Sequence, residues 1–404
     1  MTPSSASGPK NSEPLVSTGS SEFFFAGRTI LLVANTAWNL WNFRRALIER
    51  LLAQGAHIIC AAPPDGFQWH LTDLHPRLRY LPLRHLSRGR ILSLHNLSLL
   101  WELLRLLRTE KPDLSLFFTI KPNVLGNVAA ALAGSPAISV IEGRGISATS
   151  RRWLRGLSVL LYRMALRFAK RVVFINPDDR ADFLRYRIVE PRQAVLTTGP
   201  GVDIGHFSPR AQSPGHTFTF LFPARLLAEK GVREYAQAAA LLKRSGLRAR
   251  FQVLGNTDSG NPTSISKTEL ENWVAAGSIE YLGFTDDVRA HLAEADVVVL
   301  PSYYREGVPR CLLEAMSMQK PILTTDSVGC RETVDVGKNG LLIVPRDAQA
   351  LADAMRQLAL LPRSALHDMG LHSRQKVLST FSDEVVLPQL LALMQEVLRE
   401  NTTA

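Results

Sequence analysis

Short runs of apolar and β-branched residues alternate with longer amphipathic segments along most of the chain. In the first half these runs are TILLVA, HIICAA, LSLFFT, AISVIE, RVVFIN and AVLTTG, each separated from the next by a segment of helix length. A second series begins at TFTFLFPA and continues through RFQVLG, SIEYLG, ADVVVLPS, PILTTD and GLLIVP. Continuous apolar strands that alternate with helices are typical of a parallel sheet covered on both faces. The pattern therefore predicts an α/β fold in two series.

A segment rich in Gly, Pro and Ser, residues 197–216, separates the two series and marks a boundary between domains. We predict a disordered tail over 1–24, a Rossmann-like N-terminal domain over 25–205 and a Rossmann-like C-terminal domain over 206–382. A terminal amphipathic helix over 383–404 is expected to pack back towards the N-terminal domain. Two doubly wound domains joined in this way leave a cleft at the carboxyl ends of their strands, where ligands bind.

Composition removes several classes of protein from consideration. The chain has 404 residues, of which 46% are hydrophobic and 21% charged, as in ordinary globular domains. Since no run of about 20 uncharged apolar residues occurs, no membrane-spanning helix is predicted. The polar N-terminus lacks the basic start and apolar centre of a signal peptide. Three widely spaced cysteines predict neither a disulfide framework nor a metal site, which favours a cytoplasmic location.

The positive charge is concentrated in the first half of the chain. Formal net charge is +11, and residues 1–205 hold 26 Lys and Arg against 14 Asp and Glu, whereas residues 206–404 hold 21 against 22. Such a half suits an anionic membrane surface, nucleic acid or an anionic substrate. Because no recognised nucleic-acid-binding motif accompanies the charge, nucleic acid is not favoured.

The segment 151–171 predicts a helix with one basic side. At roughly 100° per residue, that side collects five basic residues, namely Arg152, Arg155, Arg163, Arg167 and Lys170. A basic stripe on a helix that also bears Trp153 suits an anionic inner-membrane surface or a lipid diphosphate. The alternative is a helix packed on the core with a solvated basic face.

Two carboxylates, Glu306 and Glu314, stand eight residues apart just after the apolar run ADVVVLPS. Gly307 permits a tight turn, and Pro309 suits the first turn of a helix over 309–320. The N-terminus of that helix presents free N–H groups to phosphate oxygens. A carboxylate towards each end can accept hydrogen bonds from hydroxyls, so the stretch suits a nucleotide-sugar. The alternative is a pair of exposed glutamates at a helix end.

The Glu-x7-Glu spacing after an apolar strand resembles the signature of retaining glycosyltransferases of family four, which have the GT-B fold. The resemblance implies that Glu306 lies near the donor hexose and that Glu314 binds the nucleotide ribose. The run FPARLLAEKGV resembles the family's diphosphate clamp, which implies that Arg225 and Lys230 neutralise the leaving group; the alternative is two solvated charges in a loop. Further donor-side candidates follow from the same resemblance: Gly283, Phe284, Gly307, Val308, Pro309 and Arg310.

The first half departs from many relatives in two places. ANTAWNLWNF stands where they have a Gly-Gly turn, and LFFTIKPNVLGNVAA contains no histidine. The runs TIKPNVLG and NPDDR resemble instead a bacterial branch that adds sugars to undecaprenyl-diphosphate-linked oligosaccharides. Residues at the predicted strand ends become candidates for the acceptor side of the cleft: Asn35, Lys121, Asn123, Glu142 and Arg144. The alternative for each is a capping residue or a solvated loop residue.

The sequence thus predicts a retaining hexosyltransferase that moves a hexose or N-acetylhexosamine from a UDP-sugar to a lipid-linked (undecaprenyl-diphosphate) glycan, in cell-surface polysaccharide or glycoprotein glycan synthesis. We expect no metal and no cofactor, because the chain has no Asp-x-Asp motif and its histidines lack zinc spacing. The expected location is peripheral, on the cytoplasmic face of a bacterial plasma membrane. The alternatives are a UDP-sugar epimerase of the same fold and a non-catalytic nucleotide-sugar-binding protein.

Overall fold

The computed structural model describes residues 23–87, 95–143, 152–213, 215, 217–258 and 260–402, except the side chains of residues 95 and 152–154. Most of the predicted tail and the acceptor candidate Arg144 therefore lie outside the described residues. Within the described ranges the backbone forms two parallel sheets, one in each half of the chain. No helix in the described part of the chain combines the length and the apolar character needed to cross a membrane.

The described part of the first half forms a seven-stranded parallel sheet of order β3-β2-β1-β4-β5-β6-β7. Its strands are β1 Thr29–Val33, β2 His57–Ala62, β3 Leu78–Pro82, β4 Leu114–Phe118, β5 Ala137–Ile141, β6 Arg171–Phe174 and β7 Ala194–Leu196. The helices between them are α1 Ala37–Ala53, α2 Gln68–Thr72, α3 His95–Glu110, α4 Asn127–Ala133, α5 Arg152–Leu166 and α6 Pro177–Arg185, with a π-helical turn over Pro122–Gly126.

Both faces of this sheet are covered, as the continuous apolar strands predicted. Ile30 and Leu32 of β1 belong to one buried cluster, whereas Leu31 and Val33 belong to another on the opposite face. This alternation follows from the two-residue period of a strand. The pattern did not predict β3, a partly exposed edge strand interrupted by the charged Arg79.

The described part of the second half forms a six-stranded parallel sheet of order β10-β9-β8-β11-β12-β13. Its strands are β8 Thr219–Pro223, β9 Arg250–Leu254, β10 Glu280–Tyr281, β11 Val297–Leu300, β12 Ile322–Thr325 and β13 Gly340–Ile343. Its helices are α7 Val232–Arg244, α8 Lys267–Ala275, α9 Arg289–Glu294, α10 Arg310–Ser317, α11 Ala348–Ala359 and α12 Arg363–Lys376. A 3₁₀ turn covers Ala228–Lys230, another covers Arg331–Thr333, and a π-helical turn covers Val377–Phe381.

The last helix, α13 (Asp383–Thr402), returns to the first half. Its buried residues Leu387, Leu391 and Met394 belong to the same cluster as the residues of β1 and β2. Arg171 at the start of β6 also pairs with Glu396, at 2.5 Å, and with Glu400 of this helix. The C-terminal segment therefore helps to form the core of the N-terminal half.

Helix α5 is shorter than predicted, and this corrects the proposed basic stripe. The helix ends at Leu166, and the backbone N–H of Lys170 already bonds to Ala137 of the neighbouring strand β5. Lys170 therefore lies outside the helix, because the chain turns there to enter the sheet. Arg163 donates to the backbone carbonyls of Tyr186 and Arg187, so it is held against the protein surface.

Candidate active site

An ion pair between Lys230 and Glu306 forms the centre of the candidate site. Lys230 ends the 3₁₀ turn that follows β8, and Glu306 lies in the loop between β11 and α10. Lys230 Nζ lies 2.5 Å from Glu306 Oε1, and the Ser302 hydroxyl donates to the same oxygen at 2.9 Å. The two side chains are only 15% and 10% exposed. The sequence predicted both residues but neither their direct contact nor the contribution of Ser302.

Local backbone geometry holds the lysine turn against the glutamate loop. Gly231, which follows Lys230, has a φ of +81°, and a Cβ there would overlap the carbonyl of Pro301. Backbone N–H groups of Tyr303 and Tyr304 donate to the Glu229 carbonyl at 3.1 and 3.0 Å. Because only glycine accepts this conformation in so little space, the sequence Lys-Gly brings the turn directly onto the end of β11.

The predicted helix after the loop begins one residue later than expected and ends earlier. Pro309 caps α10 in an extended conformation, with a ψ of 115°, and the helix runs from Arg310 to Ser317 rather than to residue 320. Its early end follows from Gln319, whose φ of +59° reverses the chain. Val308, in the loop before the helix, is buried. The helix nevertheless begins three residues after Gly307. Its free N–H groups therefore lie close to Glu306, as the predicted nucleotide-sugar site requires.

Glu314 lies one turn into α10, beside Arg310. Arg310 Nε stands 3.7 Å from the Glu314 carboxylate, and both side chains are largely buried. Burial raises the pKa of Glu314 above its ordinary value, and the nearby Arg310 partly opposes that shift. Arg310 Nε has no hydrogen-bond partner among the described residues, and its guanidinium lies 5.1 Å from the ring centroid of Phe43 in α1. A buried carboxylate and a buried donor are thus available to a ligand.

The other predicted donor-side residues surround this centre less closely. Arg225 is more than half exposed and pairs with Asp258, whose carboxylate lies 3.1 Å from its Nη1. Among the described residues, the structure shows no direct contact between Arg225 and Lys230. The diphosphate clamp that these two residues were predicted to form therefore stays a prediction. Gly283, at a φ of +74°, accepts a bond from Gly255, and the neighbouring Phe284 ring is exposed. An exposed ring at a strand end is available for stacking, as expected near a base.

On the first half, Glu142 follows β5 and pairs with the buried Arg44 of α1. The Arg44 guanidinium also lies 4.2 Å from the ring centroid of Phe118, at the end of β4. Sequence reasoning predicted Glu142 but missed Arg44, since the contact spans 98 residues. Glu142 is therefore already part of a local charge pair at the sheet edge.

Three further acceptor-side candidates lie at the same edge of the first sheet. Asn123 is buried, and its Nδ2 donates to the carbonyl of Val140 at 2.9 Å, which gives it a structural role. Its Oδ1, that of Asn35 and the hydroxyl of Thr119 are buried without hydrogen-bond partners among the described residues. Lys121 is buried, and desolvation lowers its pKa. Buried polar atoms without partners are uncommon, so this edge is suited to a polar ligand.

Within the described ranges, no three His, Cys, Asp or Glu side chains gather in a way that could hold a metal ion. The expectation that the reaction needs no metal stays a prediction. The same holds for the basic surface near α5, where Arg155 is partly buried, Arg167 is exposed and stacks on Phe168, and the Arg152 side chain lies outside the described residues.

Comparison with known proteins identifies two domains in the chain. Residues 40–201 match the family model described as "Glycosyl transferase 4-like domain", and residues 217–360 match the one described as "Glycosyl transferases group 1". The chain is 31% identical to a protein of Salmonella typhimurium named as a colanic acid biosynthesis glycosyltransferase, over 51% of this chain and 52% of that relative. The matched region thus spans about half the length of that relative.

Other similarities extend over more of the chain. It is 26% identical to the N,N'-diacetylbacillosaminyl-diphospho-undecaprenol alpha-1,3-N-acetylgalactosaminyltransferase of Campylobacter jejuni, over 79% of this chain and 86% of that protein. Its fold is similar to that of HepE from Anabaena, solved in complex with UDP-glucose, with a TM-score of 0.74, 18% identity and coverage of 91% of this chain and 99% of that one. The fold expected from the sequence, GT-B, is confirmed.

Proposed function

Since this chain belongs to the glycosyltransferases described by the two domain models and has the GT-B fold, we propose that it is a retaining hexosyltransferase. It moves a hexose or N-acetylhexosamine from a UDP-sugar to an undecaprenyl-diphosphate-linked glycan during synthesis of a bacterial cell-surface polysaccharide or glycoprotein glycan. The observation that supports this most strongly is the buried contact between Lys230 and Glu306 beside the N-terminus of α10.

The donor end of the site suits a nucleoside diphosphate. The free N–H groups of α10, the Lys230 ammonium and the Arg310 guanidinium offer positive charge to the phosphates. Glu314 accepts hydrogen bonds from the ribose hydroxyls, and Glu306 faces the hexose. Because Glu306 and Lys230 pair with each other, each side chain holds the other in position for the donor.

The chemistry that follows needs no covalent enzyme intermediate. The acceptor hydroxyl oxygen bonds to the anomeric carbon while the bond from that carbon to the diphosphate oxygen breaks. The hydroxyl proton passes to the departing diphosphate oxygen on the same face, so the configuration is retained. Lys230 stabilises the negative charge that develops on the leaving group, and Glu306 stabilises the positive charge on the sugar.

The acceptor binds to the first half of the chain. Support comes from its positive charge, from the polar atoms without partners at the ends of β1 and β4, and from the relative named for a diphospho-undecaprenol acceptor. An acceptor of this kind is held in a membrane, so the protein binds the anionic inner surface peripherally. The basic residues near α5 contribute to that binding through charge, with about 1 kcal/mol for each Lys or Arg close to the surface.

A donor screen tests the proposal. The protein is mixed in turn with UDP-Glc, UDP-Gal, UDP-GlcNAc, UDP-GalNAc and GDP-Man in the presence of EDTA, and thermal stabilisation and nucleotide release are measured. We expect one UDP-sugar to stabilise the protein and release UDP, and both effects to be lost in Lys230→Ala and Glu314→Ala but kept in Lys267→Ala, a control lysine that is 87% exposed. If a folded protein is neither stabilised by any of the five donors nor releases nucleotide from them, the UDP-hexose assignment is wrong. If transfer requires a metal ion, the metal-independent mechanism is wrong.

A further inference from the structure

The loop that holds Glu306 is in backbone contact with the opposite half of the protein. Glu306 forms an isolated antiparallel bridge with Gly143, just beyond β5. Gly307 fits so closely that a Cβ there would lie 2.5 Å from Cδ1 of Ile175 and 2.9 Å from the carbonyl oxygen of Glu142. The position of the candidate catalytic loop thus depends on residues of the N-terminal half.

Asn176, which follows β6, links this contact to a helix. Its Oδ1 accepts a bond from the backbone N–H of Asp179 at 2.8 Å and so caps α6. Its Nδ2 donates to Asp179 Oδ2 at 2.8 Å and to the Gly307 carbonyl at 3.2 Å. One buried side chain therefore completes a helix cap and holds the peptide bond that follows Gly307 in the Glu306 loop.

Arg305, the residue before Glu306, reaches the same helix. Its Nε lies 3.0 Å from Asp179 Oδ1, and its Nη2 lies 2.7 Å from Asp182 Oδ2. Asp179 is completely buried, and burial raises its pKa while Arg305 opposes that shift. A further pair, Arg331 to Asp178 at 3.4 Å, also crosses between the halves. The acids of the segment Asn-Pro-Asp-Asp (residues 176–179) thus bond to arginines of the second half.

Such an arrangement is poorly explained by stability alone. Burying a charged pair costs desolvation energy that the attraction between the charges barely repays, and apolar residues of similar volume often stabilise as well or better. What the pair adds is geometry, because a guanidinium fork bonded to two carboxylates fixes both the distance and the orientation of the loop.

We propose that the segment 176–179, together with Asp182, positions the Glu306 loop for sugar transfer, so that the loop is correctly placed only when the two halves are closed on each other. Arg305 and Asp179 are positioning residues, since they act through the loop and do not touch the reacting atoms. The proposal rests on the proposed function, in that it assigns the loop to transfer. It adds that the acceptor half controls the competence of the donor site.

The test compares Arg305→Gln and Arg305→Lys with Arg185→Gln, which changes an exposed arginine of α6 whose guanidinium lies 5.9 Å from the ring centroid of Tyr186 in the same half. Arg305→Gln is expected to lower kcat by about 10- to 100-fold, because small displacements of catalytic groups have effects of that size, and to leave UDP affinity within about threefold. Arg305→Lys should have a kcat between those of Arg305→Gln and the unmodified protein, since an ammonium is a single point charge and cannot bond to both carboxylates as the guanidinium does. Arg185→Gln should match the unmodified protein.

Hydrogen exchange provides a second readout that does not depend on activity. Backbone amides of residues 303–308 should exchange faster in Arg305→Gln, while those of β11 stay unchanged. If exchange and kcat both stay as in the unmodified protein, the proposal is wrong. It is equally wrong if kcat, UDP affinity and Tm fall together, because that pattern indicates general loss of structure.

Two further measurements distinguish failure of this proposal from failure of the variant to fold and from failure of the proposed function. If Arg305→Gln does not fold, Asp182→Asn, which removes one partly exposed acid, undergoes the same kinetic and exchange measurements. If the unmodified protein transfers no sugar from any UDP donor, the proposed function fails, and the exchange measurement alone decides whether the segment holds the loop.

Discussion

The contact between Lys230 and Glu306 provides the sharpest test of the site. Their charged atoms lie 2.5 Å apart, with little solvent exposure on either side. Replacing Lys230 with Met keeps most of the apolar stem but removes the ammonium. The Glu306 carboxylate then stays buried, and among the described residues the Ser302 hydroxyl still donates a hydrogen bond to it.

The expected loss of stability can be worked out from this burial. Removing one member of a buried ion pair costs about 3–5 kcal/mol, and because some solvent reaches both side chains we expect about 3 kcal/mol. For a domain of about 150–250 residues, that corresponds to a fall in Tm of roughly 6–12 °C. Adding Glu306→Gln removes the orphaned charge, so the double variant should be about 2 kcal/mol more stable than the sum of the single losses indicates.

The activation barrier should rise by an amount similar to the loss of stability. Losing one group that stabilises the charge of the leaving diphosphate is expected to lower kcat by about 10²–10³-fold. Urea unfolding gives the stability cycle, and UDP release at saturating donor gives kcat. Additive stability losses in the double variant, or a kcat within about threefold of the unmodified value, would refute the view that these two residues form one buried, functional pair.

Three further results are expected from the same geometry. Gly307→Ala should lower kcat by about 10²-fold, because its Cβ would meet Ile175 and separate the halves, whereas Gly156→Ala, with open space on α5, should keep activity and raise the free energy of unfolding by about 0.5–1 kcal/mol. Glu314→Ala should weaken UDP binding by about tenfold in calorimetry, since it removes a hydrogen bond to the ribose, and an unchanged affinity would contradict the assignment. Burial raises the pKa of Asp383 to about 6, so the proton it holds in the folded state contributes stability that is complete below about pH 4 and lost as pH rises through 6. In thermal unfolding, the Asp383→Asn variant should therefore have a higher Tm than the unmodified protein at pH 7.5 and the same Tm at pH 4. An equal difference in Tm between the two proteins at both pH values would contradict the raised pKa.

Much of the site could be read from the sequence because its signals are local. The apolar run of β11, the glycine after Glu306 and the helix that follows are neighbours in sequence, so their spacing alone predicts a strand, a turn and a helix N-terminus. The same holds for Lys230 and Gly231. By contrast, Arg44, Asp179 and Arg305 look like ordinary surface charges in a sequence. Nothing local indicates that Arg44 and Asp179 become buried or that Arg305 becomes the partner of Asp179.

The sequence by itself determined the two α/β series, their strands except the edge strand β3, and the residues at the ends of those strands, since these depend on periodicities of two and 3.6 residues. Only the tertiary structure decided which charges meet: Lys230 and Glu306 are 76 residues apart, and Asp179 and Arg305 are 126 residues apart. It also decided that α5 ends at Leu166, which places Lys170 outside the helix. These features depend on packing between distant segments, and a pattern along the chain reports only what neighbouring residues do.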